Sequence, residues 1–215
     1  MITIVDYGMG NLRSVVNAFE ALNTEVTVTD DPAALERATG VVLPGVGAFG
    51  DGMRNLIARG FREPLEACVV RRGVPYLGIC LGMQFLVEES LEDGRHQGLG
   101  WIRGRVERIE PGNPACKVPH MGWNELEFPR PSALFEGLPE RPVFYFVHSY
   151  HVVVPPPDAD VVTASCSHGV PVAAALQRGN LFGVQFHPEK SQQVGLRVLD
   201  NFVRVCTAAH AIASS

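Results

Sequence analysis

No stretch of the 215 residues strings together the roughly 18 apolar residues that a membrane-spanning helix needs. The start, Met1-Ile2-Thr3-Ile4-Val5-Asp6, lacks the basic segment and cleavage site of a secretory signal, so a cytoplasmic location is expected. Positive charge is scarce: 18 Lys and Arg against 23 Asp and Glu leave a net charge of -5, without the basic footprint of nonspecific nucleic-acid binding. Cysteine pairing is missing too. The five cysteines, Cys68, Cys80, Cys116, Cys166 and Cys206, are odd in number, widely spaced and form no Cys-x-x-Cys, which argues against a disulfide framework and a zinc site. The seven histidines offer no His-x-x-x-His pair for one helix face. Only His148 and His151 are close, and in a single strand they would point to opposite faces. No metal and no cofactor are expected. There are no internal repeats or low-complexity tracts, and residues 1–215 are of a length that one core serves, so a single domain is expected.

What the sequence does contain is concentrated in a few stretches. The first is Val74-Pro75-Tyr76-Leu77-Gly78-Ile79-Cys80-Leu81-Gly82-Met83-Gln84-Phe85, an apolar run of strand length that meets a Gly-x-Cys-x-Gly corner and continues with helix-forming residues to Glu89. A sharp strand-to-helix turn needs small residues two before and two after its strained centre, and Gly78 and Gly82 supply them. Such a corner lifts Cys80 above the sheet edge at a helix N-terminus, where thiolate is favoured over thiol. Cys80 is a candidate nucleophile; the other reading is a buried small hydrophobe, the usual fate of a free cysteine.

Strand-like runs alternate with helical ones in the first half of the chain: Ile2 to Asp6, a helix from an Asn11 cap to Leu22, Val26 to Thr29, a short helix opened by Asp31-Pro32 and ending near Ala38, Val41 to Leu43, and a helix from Phe61 to Arg72. That alternation predicts an α/β fold with a mostly parallel central sheet. The turn Gly8-Met9-Gly10 invites a dinucleotide-binding reading, but Arg13 stands where the third glycine would be. After Gly94 the texture changes to short strands, most of them antiparallel, between about Ile102 and Phe186, with Pro155-Pro156-Pro157 as a stiff connector. A helix with apolar residues at Val194, Val198, Leu199, Phe202, Val203 and Cys206 closes the chain, and Ala208 to Ser215 is expected to fray.

Directly after the third strand, Pro44-Gly45-Val46-Gly47-Ala48-Phe49-Gly50-Asp51-Gly52 forms a glycine-rich loop. Loops at the carboxyl ends of parallel strands share one edge, so this loop faces Cys80 either as a flexible surface segment or as a source of N–H groups for a developing oxyanion. The last informative stretch is Phe182-Gly183-Val184-Gln185-Phe186-His187-Pro188-Glu189, a buried strand ending in an imidazole and a carboxylate with a proline between them. With Cys80 across the crevice this has the logic of a nucleophilic triad, His187 as base and Glu189 as its orienter.

Gly78-Ile79-Cys80-Leu81-Gly82-Met83-Gln84 and His187-Pro188-Glu189 resemble the two signatures of the class I (triad) glutamine amidotransferases. More narrowly, five further stretches resemble the glutaminase subunits of imidazole glycerol phosphate synthases: Asp6-Tyr7-Gly8-Met9-Gly10-Asn11-Leu12, Pro44-Gly45-Val46-Gly47, Pro119-His120-Met121-Gly122-Trp123-Asn124, Tyr145-Phe146-Val147-His148-Ser149-Tyr150 and His187-Pro188-Glu189-Lys190-Ser191. The segment from Pro111 to Cys116 and the tail after Cys206 match no motif. The resemblance implies a three-layer fold with additional antiparallel strands in the C-terminal half. It implies glutamine as substrate, catalysis by Cys80, His187 and Glu189, and an oxyanion hole from the N–H groups of Leu81 and of Val46 or Gly47. It further implies that Gly47, Gln84, Glu92, Ser149 and Tyr150 hold the amino-acid portion of glutamine, with Glu92 suited to the α-ammonium. The implied partner is a (β/α)₈-barrel cyclase subunit in a heterodimer, met by Pro119, His120, Met121, Gly122, Trp123 and Asn124, with Tyr145 and Lys190 beside them. Without the resemblance, a half-buried core role for Trp123 stays open, as do a glutaminase subunit for pyridoxal phosphate synthesis, a cysteine hydrolase or peptidase on the same corner, and a non-catalytic binding module.

Overall fold

Apolar residues occupy both sides of the strands that open the chain, and the computed structural model, which describes residues 1–213, shows both sides covered. Strand β1 (Ile2–Val5) leads through helix α1 (Leu12–Glu20) to β2 (Val26–Thr29), then through a 3-10 turn at Pro32–Arg37 to β3 (Gly40–Gly45). Helices α2 (Phe49–Ala58) and α3 (Arg62–Leu65), the latter widening into a π turn at Glu66–Arg71, precede β4 (Tyr76–Cys80) and the one-turn helix α4 (Leu81–Gln84). Short strands follow: β5 (Glu89–Ser90), β6 (His96–Gln97), β7 (Arg105–Arg108), β8 (His120–Glu125), β9 (Val143–His148), β10 (Tyr150–Val153), β11 (Val162–Ser167), β12 (Pro171–Arg178) and β13 (Leu181–Val184). Helix α5 (Gln192–Ala213) ends the described chain.

The central sheet has the order β11-β12-β13-β4-β3-β1-β2; the run from β13 to β2 is parallel, and β12 and β11 add antiparallel at one edge. Because strand side chains alternate, Ile2, Ile4, Val42, Leu77 and Ile79 pack on one face under α1 and α5, while Val5, Val41, Leu43 and Tyr76 pack on the other under α2 and α3. Helix, sheet and helix make three layers, which is the expected α/β architecture. A small sheet ordered β10-β7-β5-β6 and the hairpin β8-β9 lie outside the main sheet. Strand β4 sits between β3 and β13, with Gly45 opposite Cys80 and Val184 opposite Ile79, so the segments leaving all three strands emerge side by side.

Four expectations need correction. The helix after Cys80 stops at Gln84 rather than Glu89, because the carbonyls that would continue it are taken elsewhere: Phe85 accepts from Leu99, and Leu86 from Trp101 and Ile102. Glu89, expected as the end of that helix, opens strand β5 instead. His148 and His151 do not share a strand, since β9 ends at His148 and β10 begins at Tyr150. The tail does not fray at Ala208; α5 holds to Ala213, and Ser214 and Ser215 lie outside the described residues. A smaller difference is that Asn11 precedes α1 without making a side-chain capping bond, whereas Asp31 caps its turn by accepting from the Ala33 N–H at 3.0 Å.

Candidate active site at the carboxyl edge of the sheet

Cys80 has φ 53° and ψ -106°, a backbone region that side-chain-bearing residues avoid. The strain is held in place by close approaches on both sides. A Cβ on Gly78 would overlap the Gly82 carbonyl, and one on Gly82 would overlap the Leu43 carbonyl oxygen of β3. Only glycine lets the chain fold back this tightly, so the Gly-x-Cys-x-Gly spacing is a steric requirement of the corner.

His187 leaves β13 on the neighbouring strand. Its N–H donates to the Tyr145 carbonyl at 2.9 Å, and its own carbonyl accepts from Ser191 Oγ at 2.6 Å, which pins the backbone. Nδ1 meets Glu189 Oε1 at 2.8 Å, and the two side chains are 2% and 1% exposed. Burial by itself lowers the pKa of this ring, but hydrogen bonding and charge interaction with Cys80 and Glu189 outweigh it and push the value up to about 9. The raised value implies an imidazolium at neutral pH, held between sulfur and carboxylate. His187 Nε2 is buried and makes no hydrogen bond among the described residues, the loose geometry from which a base engages on substrate binding.

A cavity of about 320 Å³ opens over these groups, lined by Val46, Gly47, Cys80, Leu81, Gln84, Glu92, Val147, His148, Ser149, Tyr150 and His187. The structure therefore brings Cys80 and His187 together with the residues expected to bind glutamine, namely Gly47, Gln84, Glu92, Ser149 and Tyr150, and with the expected oxyanion donors Val46, Gly47 and Leu81. Gly47 has φ +100°, which lets a loop N–H turn where another residue could not aim it. Glu92 Oε2 accepts from the Phe49 N–H at 2.7 Å at the start of α2, and burial raises its pKa. Gln84 Nε2 donates to the Tyr150 carbonyl at 3.0 Å and to Gln185 Oε1 at 3.1 Å.

Residue typing missed three members of this neighbourhood. Val147 and His148 line the wall between the expected Tyr145 and Ser149, and Gln185, fully buried, donates from Nε2 to Cys80 Sγ at 3.6 Å. Gln185 and His187 both lie beyond the end of β13 at Val184, so strand alternation does not signal the direction of the Gln185 side chain.

The other expected cluster lies on the hairpin. Met121 and Trp123 are 62% and 51% exposed, Trp123 packs edge-on against Tyr145 with ring centroids 5.8 Å apart, and Lys190 Nζ stands 5.9 Å from the Tyr145 ring centre. Pro119 and Lys190 are exposed, Gly122 and Asn124 partly so. His120 departs from the expectation. It is 3% exposed and turned inward, because alternate residues of β8 face opposite ways, and its ring is stacked on Phe146 and hydrogen-bonded to His148.

The Glutamine amidotransferase class-I family model matches residues 3–206. The chain belongs to the class-I glutamine amidotransferase family. Among its relatives, "Imidazole glycerol phosphate synthase subunit HisH" of Moorella thermoacetica is 54% identical over 94% of this chain and 93% of its own length, and the subunit of the same name from Syntrophotalea carbinolica is 54% identical over 94% and 98%. The solved structure of PurLQS from Thermotoga maritima superposes with a TM-score of 0.71 at 22% identity, covering 95% of this chain and 97% of that one. At that identity the likeness speaks for the shared amidotransferase fold alone.

Proposed function

We propose that this class-I amidotransferase hydrolyses glutamine to glutamate and ammonia and passes the ammonia to a cyclase subunit of (β/α)₈-barrel form, which makes imidazole glycerol phosphate and aminoimidazole carboxamide ribonucleotide for histidine biosynthesis in the cytoplasm. The observation that carries the reading is the convergence of Cys80, His187 and the strained corner on one cavity of about 320 Å³, in a chain half-identical to subunits of that name.

In the chemistry, Cys80 thiolate attacks the side-chain carboxamide carbon, and the carbonyl electron pair moves onto oxygen, where the N–H groups of Leu81 and of Val46 or Gly47 stabilise it. Collapse of the tetrahedral intermediate breaks the C–N bond as the His187 imidazolium protonates the departing nitrogen, leaving a glutamyl thioester and neutral His187. His187 then takes a proton from water, whose oxygen displaces sulfur to give glutamate. Glu189 holds the ring and stabilises its charged form throughout. The acid role needs the proton on His187, so glutamine turnover is expected to fall on the alkaline side with a midpoint near 9, measured as ammonia release against pH. A profile flat to pH 10 or beyond would count against His187 as the acid.

Ammonia released into water protonates and is lost as a nucleophile, so the enzyme gains from a docked acceptor. The exposed Met121, Trp123 and Lys190, with the half-buried Tyr145 between them, suit that role. The main chain of Tyr145 ties this patch to the base, since its carbonyl accepts from the His187 N–H and its own N–H donates to Ser191 Oγ at 3.0 Å. The test is to mix the protein with the candidate cyclase and follow glutamine-dependent consumption of the phosphoribulosyl imidazole-carboxamide precursor; no coupling overturns the synthase reading. In the same assay Trp123→Ala is expected to weaken complex formation by roughly thirtyfold, or about 2 kcal/mol, while the free subunit's own glutamine hydrolysis changes little.

A further inference from the structure

The side-chain amides around Cys80 are not free to point either way. The Tyr150 carbonyl oxygen only accepts, so the Gln84 group 3.0 Å from it is its NH₂. That same NH₂ lies 3.1 Å from Gln185, so Gln185 turns its oxygen toward Gln84 and its own NH₂ toward Cys80 Sγ, 3.6 Å away. The chain continues in the opposite direction with equal definition. Tyr150 O also takes a hydrogen bond from His148 Nδ1 at 2.8 Å, which makes His148 Nε2 an acceptor; His120 Nδ1 donates to it at 2.9 Å, and His120 Nε2 accepts from Asn124 Nδ2 at 3.1 Å. Asn124 Nδ2 is fixed as a donor by the Ser167 carbonyl at 2.9 Å. Two backbone carbonyls, at Ser167 and Tyr150, thus set the direction of every bond from strand β8 to the sulfur. Protonating His148 would oppose two donors across the 2.9 Å contact with His120, and protonating His120 would oppose Asn124 Nδ2 across 3.1 Å; burial keeps both neutral, with values lowered to about 4 for His120 and about 3 for His148.

We propose that Gln185 is a further catalytic residue whose side-chain N–H stabilises the Cys80 thiolate, and that Gln84 is the positioning residue that keeps that N–H aimed at sulfur. The inference rests on the reading of Cys80 as nucleophile. An N–H donor strengthens when sulfur takes up charge, and Gln185 is 0% exposed, so no water competes for its N–H. His187 stabilises the same charge electrostatically but gives up its proton during turnover, whereas an amide keeps its donor through the whole cycle. In this scheme Gln84 orients the nucleophile's donor as well as lining the cavity.

The experiment measures the rate of Cys80 alkylation by iodoacetamide against pH, followed by mass spectrometry of the Cys80 peptide, in the parent, Gln185→Met and Gln84→Met. Both substitutions are close in volume and remove the amide. For Gln185→Met the midpoint of the alkylation profile is expected to rise by about one pH unit, so that below it Cys80 reacts roughly tenfold more slowly, and Gln84→Met is expected to shift it the same way by less. An unmoved midpoint in the folded variants overturns the proposal. If Gln185→Met fails to fold, Gln84→Met and the parent decide: the Gln185 side-chain amide resonances of the parent must titrate with the alkylation midpoint, and failure of both to respond overturns it. Alkylation needs no glutamine turnover, so a failure here is distinguishable from persistent ammonia release by Cys80→Ala, which would overturn the nucleophile reading itself.

Discussion

Replacing Cys80 by alanine is expected to lower glutamine hydrolysis by ~10⁴-fold or more, because loss of the nucleophile leaves only binding and the oxyanion donors to act on the amide. The protein is expected to stay folded, since the side chain is small and the corner is held by backbone contacts around Gly78 and Gly82. Cys80→Gly separates the chemistry from the strain. At φ 53° and ψ -106° alanine keeps the backbone penalty and glycine removes it, so the glycine variant should melt higher than the alanine variant, by roughly 1 kcal/mol after the entropy cost of glycine is counted. Both should be inactive. Ammonia release and thermal unfolding check the pair: retained release in Cys80→Ala would put the nucleophile elsewhere, and equal melting would mean that the strain at the corner does no more than offset glycine's entropy cost.

Gly82→Ala carries the largest expected effect on stability. In a helix interior alanine is favoured over glycine by about 1 kcal/mol, which taken alone predicts stabilisation. Packing decides against it. The new Cβ would overlap the carbonyl oxygen of Leu43, a main-chain atom of a central strand that cannot rotate away as a side chain would. A net loss of about 3 kcal/mol is expected, lowering the melting temperature by roughly 6–12 °C for a chain of this size. Leu43 leads directly into the Pro44 to Gly47 loop, so whatever shift relieves the clash also displaces the expected oxyanion donors, and the surviving fold should be a poor glutaminase. A variant that melts with the parent would show that β3 and α4 have room between them.

Much of the site was legible because its constraints are local. Strand β2 runs from Val26 to Thr29 as its β-branched pattern predicts, and the spacing of Gly78, Cys80 and Gly82 announces a strained turn without reference to any other part of the chain. The helix beyond that turn was misread because Phe85, Leu86 and Val87 have helix-compatible side chains; their carbonyls are claimed by residues 99–102, a competition that residue type does not record. His120 was assigned to the surface with its neighbours for a related reason. The motif Pro119 to Asn124 marks a segment, and only the pairing of β8 with β9 decides which alternate residues of it face out.

The sequence by itself determined the candidates for the chemistry: a cysteine that its flanking glycines force into a corner, and an imidazole and carboxylate tied together by the proline between them. Both are short-range facts of covalent geometry and sterics. Only the tertiary structure decided that these two ends meet, because β4 and β13 are neighbours solely through the order of the sheet, and that the Gln185 amide is turned toward sulfur. An amide has two faces of opposite polarity, and which one it offers is settled by a fixed carbonyl far along the chain, here that of Tyr150 acting through Gln84.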